Sequence, residues 1–222
     1  LFNATFTHDN ASLISGTGSL IFAGGTHTIG SSTILEVNRL ITVTEGTVNF
    51  NADYTFAGLF TLNNVSGPTL GGSGTLTMNG GLSWTGGGTM RGTGRTVVPF
   101  GATATLTTGT LNDTRRLEIV GTANWTGTGF IEIATGAVLD VQAGGILNWS
   151  STGNIGLSLV GSVINAGTIN VTGAATRTCS NPITNTGDLK VFAGTLVLNS
   201  FTQAGGETVL SGGSIQATNP LL

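Results

Sequence analysis

Ile164–Gly173 reads INAGTINVTG, and Ile183–Gly194 reads ITNTGDLKVFAG. Laid one over the other, the phrases put Asn165 on Asn185, Gly167 on Gly187, Ile169 on Leu189 and Val171 on Val191. A weaker copy, GGETVLSGG, follows about one such interval later. In each phrase apolar residues alternate with Thr, Asn, Asp or Lys, the period-two pattern of a strand with one face buried. A unit of about 20 residues cannot bury that face by itself, so successive units must stack.

A second phrase supports the same period. It reads LSWTGGGTM at Trp84, ANWTGTGFI at Trp125 and LNWSSTGNI at Trp149. The gaps approximate two turns and one turn of the unit. Elsewhere the apolar runs are short (TLTM, TVVPF, ATATL, RLEIV, FIEI, VLDV, TLVL), and Gly bounds them. This is too dense for an immunoglobulin-like sandwich. Helical periodicity is nearly absent. The expected fold is all-β: a single-stranded parallel β-helix, or β-solenoid, right-handed by the crossover rule. Each coil would hold three short strands, and roughly ten coils about 4.8 Å apart would make a rod about 50 Å long. One such domain is expected over 1–222, with less regular coils over 1–63. The indole rings of Trp84, Trp125 and Trp149 offer flat faces to sugar rings if exposed, but their recurrence in one phrase favours equivalent interior positions, and Asn165 and Asn185 would stack at coil bends in left-handed geometry. Ile169, Val171, Leu189, Val191, Leu196 and Leu198 would point inward.

Composition narrows the function classes. Of 222 residues 37 are Gly, and only 8% are charged, with seven basic and ten acidic side chains. That balance gives no electrostatic footprint for nucleic acid or an anionic membrane surface. No apolar run approaches the roughly 18 residues of a membrane span, so no transmembrane segment is expected. Lys190 is the one lysine, a scarcity that suits a secreted or cell-surface protein. No signal peptide is visible and the chain begins at Leu1. It reads as a mature or excised segment of a longer repeat protein. Cys179 is the only cysteine, a small apolar filler with neither a disulfide partner nor the company of a metal site.

Two stretches carry a family resemblance. GTLTMNGGLSWTGGGTMRGTGRTVVPFGATATL and NTGDLKVFAGTLVLNSFTQAGGETVLSGGSIQA resemble the repeats of large bacterial secreted and cell-surface proteins of the haemagglutinin and autotransporter-passenger type. The likeness covers 64–218 and extends more weakly to GTGSLIFAGG and EGTVNFNAD. It implies a β-helical shaft displayed outside the cell and brings no diagnostic catalytic motif.

β-Helix lyases and hydrolases need facing carboxylates, whereas the ten acids here are scattered; Glu118 and Asp140 would meet only if they stack on adjacent coils. His8 and His27 have no nucleophile-elbow sequence beside them, and exposed or turn positions are expected for both. The segment Leu111–Val120, LNDTRRLEIV, is the most charged. As a loop bulging from the rod, its Asp113, Arg115, Arg116 and Glu118 would offer a partner or glycan contact. Arg95 and Arg116 would form a short basic patch if they stack. Thr-x-Thr pairs at Thr5, Thr26, Thr42, Thr75 and Thr103 suggest an ice-binding rank, but their spacing is too uneven for an orderly one. No cofactor and no metal are implied. The expected function is a nonenzymatic extracellular shaft, adhesin segment or filament subunit. Its partners would be glycans, matrix or sister subunits, met end to end or laterally. A carbohydrate-active β-helix enzyme is the alternative, and an ice-binding solenoid stands third.

Overall fold

Gly or a short polar bend breaks the apolar alternation every few residues, and each bend turns the backbone toward the strand one coil earlier. The computed structural model describes residues 1–9, 11–36, 39–63, 65–156 and 160–218. The strands pair in parallel to build a β-solenoid of about ten turns with ~21 residues per coil.

Three ladders of strands form three faces. The tryptophan sheet takes the first halves of Leu20–Ile29 and Ile41–Phe50, then Phe60–Asn63, Leu82–Thr85, Thr103–Leu106, Thr122–Trp125, Ile146–Trp149, Thr168–Val171, Asp188–Val191 and Glu207–Leu210. The threonine sheet takes Phe6–His8, the second halves of the same two long strands, Thr69–Gly71, Thr89–Met90, Gly109–Leu111 and Ile131–Ile133. Bridges through Ile155 carry it on to Thr176–Cys179, Thr195–Leu198 and Ser214–Ala217. The arginine sheet runs from Tyr54–Phe56 through Arg95–Val98, Arg116–Ile119 and Val138–Val141 to Phe201–Gln203.

The coils over 1–63 belong to the same solenoid, but two of them differ in one respect. Leu20–Ile29 and Ile41–Phe50 each round a corner as one continuous strand. Gly25 and Gly46 make that corner with φ of 69° and 71°. A Cβ on Gly46 would lie 2.2 Å from the Gly25 carbonyl oxygen. Only glycine lets the two corners stack this closely.

Alternation puts the apolar residues inside. Ile169, Val171, Leu189, Val191, Leu196 and Leu198 are all buried, as the repeated phrases predict. Trp84 and Trp125 are two coils apart with Leu106 between them, and Trp149 follows on the next coil. All three are buried, and the Trp125 and Trp149 rings stack with centroids 4.9 Å apart. Each indole N–H donates to a bend carbonyl: Trp84 to Gly88 at 2.8 Å, Trp125 to Thr107 at 2.9 Å and Trp149 to Gly153 at 3.2 Å. For Trp84 and Trp149 the acceptor lies four residues on, in the Gly-rich link that follows each ring, whereas Trp125 takes its acceptor from the coil before. Gly109 makes room for the Trp84 indole, because a Cβ there would sit 2.3 Å from the ring.

Candidate functional site

The outer face of the tryptophan sheet is a double row of small uncharged polar side chains. In register, Thr42 lies beside Thr61, Thr61 beside Ser83, Ser83 beside Thr105, Thr105 beside Asn124, Asn124 beside Asn148, and Asn148 beside Asn170. Two positions further on, the second row holds Thr44, Asn63, Thr85, Thr107, Thr126, Ser150 and Thr172. Neighbours sit about 4.8 Å apart across the ladder and about 7 Å apart along a strand. Side-chain amides tie part of the first row together: Asn170 Nδ2 donates to Asn148 Oδ1 at 3.0 Å, and Asn148 Nδ2 to Asn124 Oδ1 at 2.9 Å. Neither row holds a charged residue between Thr42 and Thr172. On the next coil, Lys190 pairs with Asp188 at 2.9 Å.

The uneven Thr-x-Thr spacing therefore misleads. Coils differ in length, with Asn124 and Asn148 24 residues apart and Asn148 and Asn170 22 apart. The bends absorb the difference and the strands stay in register. The sequence signal for this face lies in the tryptophan phrases: Ser83-Trp84-Thr85, Asn124-Trp125-Thr126 and Asn148-Trp149-Ser150 each set the outward pair around an inward ring. The threonine sheet carries a shorter rank, Thr26, Thr47, Thr69, Thr89 and Thr110, which ends at Glu132.

The arginine sheet gathers the charges. Arg95 is in register with Arg116, and Glu118 with Asp140. Arg95 Nε donates to Glu118 Oε1 at 2.8 Å, and Arg116 Nε to Asp140 Oδ2 at 2.7 Å. Arg116 Nε also lies 3.2 Å from Glu118 Oε1, and Gln142 Nε2 donates to Asp140 Oδ2. Cation and anion thus alternate from Arg95 through Glu118 and Arg116 to Asp140. Although they point outward, the two acids are nearly covered, their side chains 8% and 1% exposed. The Asp140 Oδ1 atom is buried and bonds nothing.

Leu111–Val120 does not bulge from the rod. Arg116–Ile119 is a strand, and Arg115 is fully buried at the bend before it. Arg115 donates to Thr96 Oγ1 at 2.8 Å and to the Gly72 and Arg95 carbonyls at 3.2 Å, with no carboxylate in that set. Burial pushes its guanidinium down to about 10. Asp113 takes a positive φ of 58° and accepts the Gly92 N–H at 2.9 Å, stitching its bend to the coil before. Of the four residues read as a contact loop, Arg115 and Glu118 are buried, and Arg116 and Asp113 are bonded within the rod.

Asn165 and Asn185 stand side by side at strand ends, fully buried, without the left-handed geometry expected of them. Asn165 Nδ2 donates to Asn185 Oδ1 at 2.5 Å and to the Asp188 carbonyl at 2.9 Å; Asn185 Nδ2 donates to Gln203 Oε1 at 3.0 Å. Their amides serve the following bend from within the strand, so positive φ is not needed. Cys179 is buried, and burial lifts its thiol to about 12. His27 is also buried and His8 half-buried, contrary to the surface positions expected of them.

Two shallow depressions, of about 210 and 150 Å³, are lined by 100–103, 120–122, 144 and 146 and by 14–16 and 18–20 respectively, and no ionisable side chain lines either. Both fall below the roughly 300 Å³ at which ligand pockets begin. Among the described residues no group of three or more His, Cys, Asp or Glu comes together as metal ligands, and no helix is long and apolar enough to cross a membrane. Compared with family models, curated proteins and solved structures, the chain matches none.

Proposed function

We propose that the chain is a nonenzymatic structural and adhesive rod of a bacterial secreted or cell-surface protein, and that it meets its partner through the outer face of the tryptophan sheet. The observation that carries this reading is the uncharged double row from Thr42 to Thr172, held in register over seven coils. Hydroxyls and amides at fixed intervals offer many weak, repeated hydrogen bonds. Such contacts gain strength by multiplicity, because each bond after the first forms at high effective concentration. Neutral glycans and matrix polysaccharides match the face in charge and in hydrogen-bonding groups. The sheet beneath is stiffened by continuous ladders and buried tryptophans, so little ordering is required when a ligand docks.

The alternative of a carbohydrate-active enzyme rests on Glu118 and Asp140, which do lie side by side. Each is already engaged by an arginine, which favours the structural reading. Ice binding gains from the same ranks, whose alignment overcomes the objection from spacing.

The experiment is a pull-down of the 222-residue chain on insoluble neutral and acidic polysaccharides, with reducing-sugar release and ice-recrystallisation assays run alongside. The expected result is retention on neutral polysaccharide without turnover, lost in the Thr61→Lys/Thr105→Lys variant. Turnover abolished by Glu118→Ala or Asp140→Ala would replace the adhesive reading with the enzyme. Inhibited recrystallisation without polysaccharide retention would replace it with ice binding.

A further inference from the structure

The two histidines form a cluster that the adhesive face does not use. Phe6 is in register with His27, and His8 with Ile29, so both histidines occupy inward positions on successive coils. Their rings stack with centroids 6.0 Å apart and planes 19° apart. Phe2, Phe6 and Phe22 surround His27 at 5.6, 5.7 and 4.9 Å, and Phe2 lies 5.3 Å from His8. His27 Nε2 is 3.0 Å from the Gly24 carbonyl oxygen, which fixes the proton on that nitrogen. The opposite nitrogen, Nδ1, is buried and bonds nothing; neither does His8 Nε2.

From this geometry we infer that His8 and His27 are an acid-released latch: protonating them detaches Phe6–His8 from Leu20–Ile29 while the coils beyond stay folded. In the neutral state both rings behave as aromatic filler. A second proton on His27 must go to Nδ1, among phenyl rings that offer no acceptor, and the charge then faces a like charge on His8. Burial, and for His8 the neighbouring His27, hold both rings below the ordinary histidine range, while the Gly24 carbonyl pulls His27 partly back. The other charged and titratable groups of the packed elements are Asp9, next to His8 in the chain, Glu45, opposite Ala23, Glu36 at the end of Ile34–Glu36, and the Leu1 ammonium next to Phe2. The Tyr54 hydroxyl is committed to the Gly30 and Thr33 carbonyls at 2.7 and 2.9 Å.

The sign follows from linkage. The detached strand binds protons more tightly than the docked one, so docking is at full strength above the free-histidine value of about 6.5 and weakens as pH falls through it. In the 222-residue chain opening stays local because, among the described residues, Phe6–His8 pairs only with Leu20–Ile29.

The test is amide hydrogen exchange of the 222-residue chain at pH 7.5 and 5.0, corrected for intrinsic rates. Phe6–His8 and Thr26–Ile29 (26–29) are compared with Thr122–Trp125. The expected result is a loss of protection in the first group of up to about a hundredfold per pH unit below 6.5, two protons being taken up. Thr122–Trp125 should hold its protection. His8→Phe and His27→Phe should each blunt the loss, and His8→Phe keeps the test open if the variant at the buried position fails to fold. Equal loss in wild type and His8→Phe, no loss in wild type, or histidine NMR titrations at or above about 6.5 would each overturn the latch.

Discussion

Between Thr103 and Trp149 the tryptophan sheet turns Thr105, Asn124 and Asn148 outward, while the arginine sheet of the same coils turns out Arg116, Glu118 and Asp140. Both rows obey the same alternation and the same ladder. In the first, the amides bond each other and remain half-exposed, with hydrogen-bonding capacity left over for a ligand. In the second, each acid is gripped by an arginine and nearly covered. An outward position in a solenoid is therefore not automatically a solvated one. Uncharged groups at a ~4.8 Å repeat can be stacked without penalty, whereas like charges at that spacing repel and must be interleaved with opposite ones.

Val191→Asp places an unpaired carboxylate at a fully buried position of the tryptophan sheet, one coil beyond the neutral row, and should cost about 3 kcal/mol or more. Chemical denaturation measures it. An unchanged midpoint would mean that Val191 is not an inward residue, and the register of the sheet would fall with it.

A sharper test lies in the asymmetry of the charged row. Arg116→Met removes the cation shared by Glu118 and Asp140 and leaves Asp140 covered without a cation, beside a Glu118 still held by Arg95, so about 3 kcal/mol should be lost. Asp140→Asn leaves Arg116, about a third exposed, free to hydrate and to keep Glu118, and should cost about 1 kcal/mol. Equal costs for the two variants, read from the same denaturation curves, would show that the acids are better solvated than their burial suggests. Smallest of all, Asn148→Ala should cost under about 1 kcal/mol, since it cuts neutral bonds at a half-exposed site. A larger loss would make the amide row a structural brace.

Much of the fold is legible in the sequence because the signal is local and repeated. The Asn165 and Asn185 phrases give the period, and the tryptophan intervals give two turns and one. What the sequence hides is the length of each bend. With that unknown, Thr42, Thr61, Ser83 and Thr105 do not announce themselves as neighbours, and LNDTRRLEIV looks like a charged loop when its Arg115 is threaded into the interior. Glu118 and Asp140 are recognisable as potential neighbours, but their arginine partners depend on side-chain reach across coils. The histidines fail for the opposite reason. THT looks polar on its own, and the phenyl rings that bury His27 come from Phe2, Phe6 and Phe22, brought together only by winding.

The stacked indoles of Trp125 and Trp149 also make the rod a spectroscopic object. Two rings 4.9 Å apart and inclined by 25° couple their ultraviolet transitions. The folded chain should therefore show an exciton couplet in its circular dichroism, a signature that short strands alone do not produce. Because the pair bridges two consecutive coils, the couplet reports on their stacking and on nothing at the ends. Followed during acidification, it would remain while Phe6–His8 peels away, and would vanish only when the middle of the solenoid unwinds.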